Sequence, residues 1–131
     1  MTSSGALWSS RVTRYSDMVE RIRTEMVAAA RGVVPTYLSE AETDAYPYAV
    51  YEFSPEYSRT KDGVYKISAD VPVIVYSKRY GEAVEAAEDI AEAVLSRLVS
   101  PDFRAVIASR SDRCVEGVWQ IEVRYNITQY I

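Results

Sequence analysis

Five carboxylates, Glu82, Glu85, Glu88, Asp89 and Glu92, recur at spacings of three, three, one and three residues. On a helix most of them fall along one side. Such a row can ligate a cation or offer an acidic docking face. Carboxylate metal helices, however, combine Glu with a His three residues on, and this chain contains no histidine. The same absence removes His-dependent triads, His general acid–base catalysis and His-ligated zinc or iron. A solvated helix face, its like charges screened by water, is the simplest reading. The functional alternative is pairing with an arginine-bearing patch on a neighbouring subunit.

The remaining candidates are weaker. Cys114 is the single cysteine, so no intrachain disulfide can form, and a nucleophilic thiol would lack its usual basic partner. A reduced thiol fits a cytoplasmic site of synthesis. Asp17 with Glu20, and Asp112 with Glu116, resemble acid–base pairs in type only; glycoside chemistry needs carboxyls opposed across a cleft. Helix capping and turn roles explain them. No phosphate-binding loop, dinucleotide fingerprint or calcium loop occurs in the chain. The expectation is a non-enzyme with no catalytic residue, cofactor or metal.

Eleven tyrosines remain to be explained, and many, including Tyr46, Tyr48, Tyr51, Tyr57, Tyr65, Tyr76, Tyr80 and Tyr125, sit in or beside expected strands. Strand propensity accounts for part of this. Tyrosine also favours protein interfaces, where it offers a large contact area and a polar tip. Two helices cannot cover all of them, so some are expected at a subunit contact.

Composition narrows the partners. A net charge of −4 without a basic run argues against sequence-specific nucleic-acid binding, which relies on clustered Lys and Arg. A local patch remains available, because Arg11, Arg14, Arg21, Arg23 and Arg31 lie close together in sequence. The start of the chain lacks a charged segment followed by an apolar run, and no stretch reaches the roughly 18 apolar residues of a membrane span. A soluble protein without a standard export signal, and no membrane partner, is expected. The length of 131 residues suits one domain with a substantial core.

The elements that would carry these groups follow from periodicity. Residues 1–14 read as an N-terminal extension with little order, and residues 15–131 as a single domain. Met18, Ile22, Met26 and Ala29 make one face of a helix over residues 15–31, with Ser16 as cap and Gly32 at the stop. Residues 33–45 read as a connection in which a short extended piece at 33–34 or 36–38 is possible. A strand over 48–53 follows. Residues 54–63 form a polar loop ending in Asp62-Gly63, a tight-turn dipeptide. Tyr65, Ile67, Ala69, Val71, Val73 and Val75 then alternate along a strand. Pro72 lacks an N–H, so this strand must be an edge there or carry a bulge.

Residues 82–99 form the strongest helix, with Val84, Ala87, Ile90, Ala91, Val94, Leu95 and Leu98 as its apolar stripe. A short strand over 103–108, a charged turn over 109–117 and a strand over 118–128 complete the chain. In that last strand Trp119, Ile121, Val123, Tyr125 and Ile127 share a face opposite Gln120, Glu122, Arg124, Asn126 and Thr128. The order predicts an α+β two-layer sandwich: one mainly antiparallel four-stranded sheet with two helices on one face. Its expected core is Trp119, Ile121, Val123, Ile67, Val71, Val84, Ile90, Val94 and Leu98. The turns over 57–62 and 109–116 would face away from the helices and expose Arg59, Lys61, Arg110 and Arg113.

The run Tyr46-Pro47-Tyr48-Ala49-Val50-Tyr51, a Tyr- and Gly-bearing loop, and the strand from Val64 to Tyr76 resemble the core of the phage tail terminator, or tail completion, family. So do Lys78-Arg79-Tyr80-Gly81-Glu82-Ala83 leading into a helix, and the closing strand from Gly117 to Thr128. The resemblance spans about residues 15–131 and is carried by the order and spacing of elements. It implies a small protomer assembling as a ring, six-fold in the family, on the head-proximal end of a long phage tail. There it would end tube polymerisation and offer the surface for the head. The implied partners are further copies of itself, the major tail tube protein and a head-completion or connector protein. The implied place is the tail–head junction of the virion, after synthesis in the host bacterial cytoplasm. Residues 1–14 depart from the family pattern. In the ring, Glu82, Glu85, Glu88 and Glu92 would face Arg11, Arg14, Arg21 and Arg23 of a neighbour. The rival readings are another neck protein, such as a head-closure or head–tail connector protein, and a small bacterial α+β ligand-binding or enzymatic domain.

Overall fold

In the computed structural model, residues 15–42, 45–59, 65–98 and 103–130 are described. They run α1 (Tyr15–Arg31), β1 (Thr36–Leu38), β2 (Tyr48–Tyr51), β3 (Ser54–Arg59), β4 (Tyr65–Ser77), α2 (Tyr80–Arg97), β5 (Phe103–Val115) and β6 (Val118–Tyr130). The strands form one six-stranded sheet in the order β1-β2-β4-β6-β5, with β3 also pairing β4. All pairings are antiparallel except β1 with β2. The α+β class is as expected from the pattern. The four-stranded sheet is not: β1 and β3 are additional strands.

β3 lies where a polar loop was expected, and its separation from β2 is explained by Pro72. β2 and β3 keep one register along β4, with Tyr51 opposite Val73 and Ser54 opposite Asp70. Glu52 and Phe53 therefore fall opposite Pro72 and Val71. The Glu52 N–H donates to the Pro72 carbonyl at 3.1 Å. The reciprocal bond cannot form, because proline has no N–H. One long partner strand is thus broken into two at the residues facing the proline. β4 is flanked on both sides there and pairs with β6 without a register shift. The requirement for an edge or a bulge at Pro72 is met instead by interrupting the neighbour.

β5 corrects a second expectation. The charged segment over residues 109–117 is not a turn; β5 continues through it to Val115. The turn is Glu116-Gly117 alone, with φ of 52° and 80°, the two left-handed positions of a type I′ hairpin. A register shift between Ile107 and Ser109 marks a bulge at Ala108.

The core lies where the alternation put it. Ile67, Ala69, Val71, Val73 and Val75 of β4 and Ile121, Val123, Tyr125 and Ile127 of β6 are buried. They form one cluster with Ile22, Met26 and Ala29 of α1 and Ala83, Ala87, Ile90 and Val94 of α2. Leu98 closes it. Both helices therefore bury an apolar stripe against the same face of the sheet. Trp119 and Val84 are only partly buried and pack against the cluster from its rim. The Trp119 ring rests on Tyr80, with centroids 4.6 Å apart. The Tyr125 hydroxyl is buried among apolar groups without a hydrogen-bond partner, and burial pushes its pKa up.

These positions order the expected losses. Ile121→Ala should cost about 2–5 kcal/mol, the range for emptying a closed apolar site. Trp119→Ala, at a half-open rim, should cost less than Ile121→Ala. Urea denaturation of the two variants checks this; a larger loss at Trp119 would mean that its ring is an interior residue.

Candidate interaction surfaces

Helix α2 starts at a local lock. Ser77, the last residue of β4, is fully buried; its Oγ donates to Glu82 Oε1 at 2.7 Å and accepts from the Arg79 N–H at 3.2 Å. Glu82 therefore ties the first turn of α2 to the end of β4, and its charge suits the helix N-terminus. Glu85, Glu88, Asp89 and Glu92 are exposed, so the acidic face inferred from spacing is formed. Arg97, at the far end of the helix, pairs with Glu25 of α1 at 2.8 Å.

Arg110 faces this helix rather than away from it. Its cross-strand partner is Val123, a core residue, so its side chain rises on the helix side of the sheet. There it bonds Asp112 through Nε at 3.0 Å and NH2 at 3.1 Å, and approaches Glu88 to 4.0 Å. Tyr80 at the start of α2 donates its hydroxyl to Asp112 Oδ2 at 2.9 Å, the same oxygen that accepts from Arg110 NH2. Arg110, expected on a turn facing away from the helices, and the acidic helix, expected to meet other arginines of a neighbour, thus approach each other within one chain. Asp112 and Tyr80 are the members that sequence spacing did not select. The signal lay in the β5–β6 register, which sets Asp112 opposite Ile121 and so beside α2.

The other expected contact residues separate. Arg113 is exposed on the opposite face, where it donates to Gln120 Oε1 at 3.3 Å. Arg59 lies in β3, in a strand and not a hairpin tip. Lys61, Arg11 and Arg14 lie outside the described residues. Arg21 covers the Phe103 ring at 4.9 Å. Arg23 bonds Glu20 at 2.8 Å and the Tyr51 hydroxyl at 3.4 Å.

On the face of the sheet opposite the buried core, Tyr48 and Tyr76 stack, and Tyr46 stacks on Tyr48, with centroids 5.4 Å apart for Tyr46–Tyr48 and 4.9 Å for Tyr48–Tyr76. Arg124 holds Asp70 at 2.6 Å and Glu122 at 3.2 Å across β4 and β6. Tyr57 and Tyr80 are each nearly half exposed. Among the tyrosines whose burial is described, Tyr51 and Tyr125 are buried, Tyr37, Tyr48 and Tyr76 are half-buried, and Tyr46, Tyr57 and Tyr80 are exposed.

A groove of about 660 Å³ runs between α1 and β1, lined by Arg23, Arg31, Thr36 and Tyr51 among others. Its cations are already engaged: Arg31 Nε donates to the Thr36 carbonyl at 3.3 Å, and Arg23 is held as above. Ligand sites usually present a few convergent polar groups; here those groups bond one another. Among the described residues no group of three or more acidic, His or Cys side chains is placed to hold a metal ion. No helix among them is long and apolar enough to cross a membrane.

Comparison with known proteins places this architecture. No family model and no curated protein matches the chain. Solved structures do. A chain of the virion of a native gene transfer agent particle is 19% identical, with a TM-score of 0.52 over 86% of this chain and 92% of its own. Bacteriophage SPP1 gp17 protein is 17% identical, with a TM-score of 0.54 over 89% of this chain and 94% of its own. The protein shares its fold with a chain of a gene transfer agent virion and with a bacteriophage protein, matched over most of the length of both.

The Arg110–Asp112–Tyr80 cluster has a pH signature. Hydrogen bonding from Arg110, helped by Tyr80 and opposed by partial burial, lowers the Asp112 pKa. A carboxyl lowered on folding adds stability above its unfolded pKa, and that contribution fades as pH falls through the folded value. Because the cluster is partly exposed, the contribution at neutral pH should not exceed ~1 kcal/mol. Asp112→Asn should therefore be less stable than the parent at pH 7, and the difference should shrink at an acidic pH below the ordinary carboxylate range. Denaturant titrations at the two pH values check this; a difference independent of pH would mean that charge is not what Asp112 contributes.

Proposed function

We propose that the protein is a structural component of a phage or phage-like particle. In this reading it forms a ring at the head-proximal end of the tail tube, ends tube growth and provides the surface that joins the head. The observation carrying it is the likeness of fold to two virion-related chains over most of each length. The order of elements in the sequence, which resembles tail completion proteins, supports it independently. Further copies of the chain, the tail tube protein and a head-completion or connector protein are the proposed partners.

The surface chemistry fits assembly better than catalysis. Glu85, Asp89 and Glu92 stand exposed on α2, and exposed tyrosines flank the sheet. A closed ring repeats one heterologous contact around an axis. Exposed ion pairs add only ~0–1 kcal/mol each, so charge would set the register while buried tyrosine and aliphatic area supplies affinity. Because Arg21 and Arg23 are engaged within the chain, the acidic face of α2 would draw its partner cations from elsewhere on the neighbour. Arg11 and Arg14 are the candidates for that role.

Removing the gene from the encoding particle tests this directly. Electron microscopy should show tails of irregular length that fail to join heads, and supplying the wild-type chain should restore both. Uniform tails that join heads in its absence would overturn the reading.

A further inference from the structure

The sheet has an outer border that nothing in the described residues pairs with: the thirteen-residue strand β5. Its hydrogen-bonding phase follows from two observations. The Glu52 N–H bonds Pro72, so the even residues of β4 point toward β2 and β3 and the odd ones toward β6. The two-residue turn Glu116-Gly117 closes on the pair Val115–Val118, which in such hairpins is a hydrogen-bonded pair. Both give the same result. Ser109, Ser111, Arg113 and Val115 bond β6, and the backbone N–H and C=O groups of Arg110, Asp112 and Cys114 point outward.

The opposite border of the sheet is blunted. β1 has three residues. In β3 the same phase turns Pro55, Tyr57 and Arg59 outward, and Pro55 has no N–H to offer. Proline and short length are common means of preventing edge pairing. β5 has neither between the Ala108 bulge and the turn. What it has is alternating charge, Arg110 and Asp112, side by side on one face. That pattern disfavours many strands but is complementary to an antiparallel copy of itself.

We propose that the β5 edge is a self-recognition surface: two copies pair antiparallel about a two-fold axis at Ser111. Registers are limited because outward-pointing residues must face one another. Centring the axis on Arg110 or Arg113 sets arginine against arginine, and centring it on Asp112 sets aspartate against aspartate. Only Ser111 sets Arg110 opposite Asp112 of the second copy, twice. The four charges then alternate, and Ser111 faces its own counterpart as a pair without hydrogen bonds. This contact is isologous and distinct from the heterologous ring contact proposed above, so neither depends on the other.

Site-directed disulfides test the register in the purified full chain. In a Cys114→Ser background, Ser111→Cys places two thiols at a non-hydrogen-bonded pair, where Cα atoms lie about 4.5 Å apart, within disulfide reach. Ser109→Cys is the control: its counterpart lies four residues out of register, roughly 13 Å away. Both positions are exposed. Under mild oxidation Ser111→Cys should move to twice the protomer mass on a non-reducing gel, while Ser109→Cys stays at protomer mass, with unchanged circular dichroism in both. No cross-link at 111, or equal cross-linking at 109 and 111, would overturn the proposal. Neither result bears on whether the protein terminates tails.

Discussion

The pairing of β4 with β6 is the constraint on which the rest of the structure depends. It runs unbroken from Lys66 opposite Tyr130 to Ser77 opposite Trp119. Because side chains alternate, this one register aligns Ile67 to Val75 with Ile121 to Ile127 on a single apolar face. A slip of one residue would turn that face to water. Both helices have only this face on which to bury their stripes, so their positions follow from it. The β5–β6 hairpin and the β2–β3 partner strand are extensions added to either side.

Two features at one end of that ladder connect fold to surface. There Ser77, buried beneath the first turn of α2, fixes the start of the helix through Glu82. The acidic face of α2 is thereby held in a set relation to the sheet. At the same end Tyr80 leans on Trp119 and reaches Asp112, so the helix start also steadies the outer hairpin. The interior of the ladder carries Pro72, whose missing donor is accommodated by a gap in the neighbouring strand and not by a distortion of β4. A proline inside a central strand is tolerated because its silent nitrogen faces Glu52 and not β6.

The parts legible in the sequence were those with a wet side and a dry side. β4, β6, α1 and α2 each carry a period that burial imposes, which makes their buried faces legible, although Trp119 and Val84 of those faces lie at the rim of the core. β3 and the outer half of β5 have no such period. Residues 109–114 are exposed on both faces, so Ser-Arg-Ser-Asp-Arg-Cys carries no hydrophobic alternation. Their strand state is imposed by hydrogen bonding to β6. Residues 54–59 are polar and contain a proline, and they become a strand only because β4 offers a free side. The acidic face of α2 was legible from spacing alone. Arg110's engagement with that helix was not, since it required the register of a strand that looked like a turn. Arg11, Arg14 and Lys61 lie outside the described residues; Arg11 and Arg14 remain part of the proposal.

The proposed assembly role would draw these elements together: an apolar spine, an acidic helix, exposed tyrosines and a long strand border. The most direct test is electron cryomicroscopy of intact particles from the encoding genome. Density for the six-stranded sheet with its two helices and long β5–β6 hairpin should be found in a ring between the last layer of the tail tube and the head. A particle that lacks this density at the junction, or carries it elsewhere, would contradict the account.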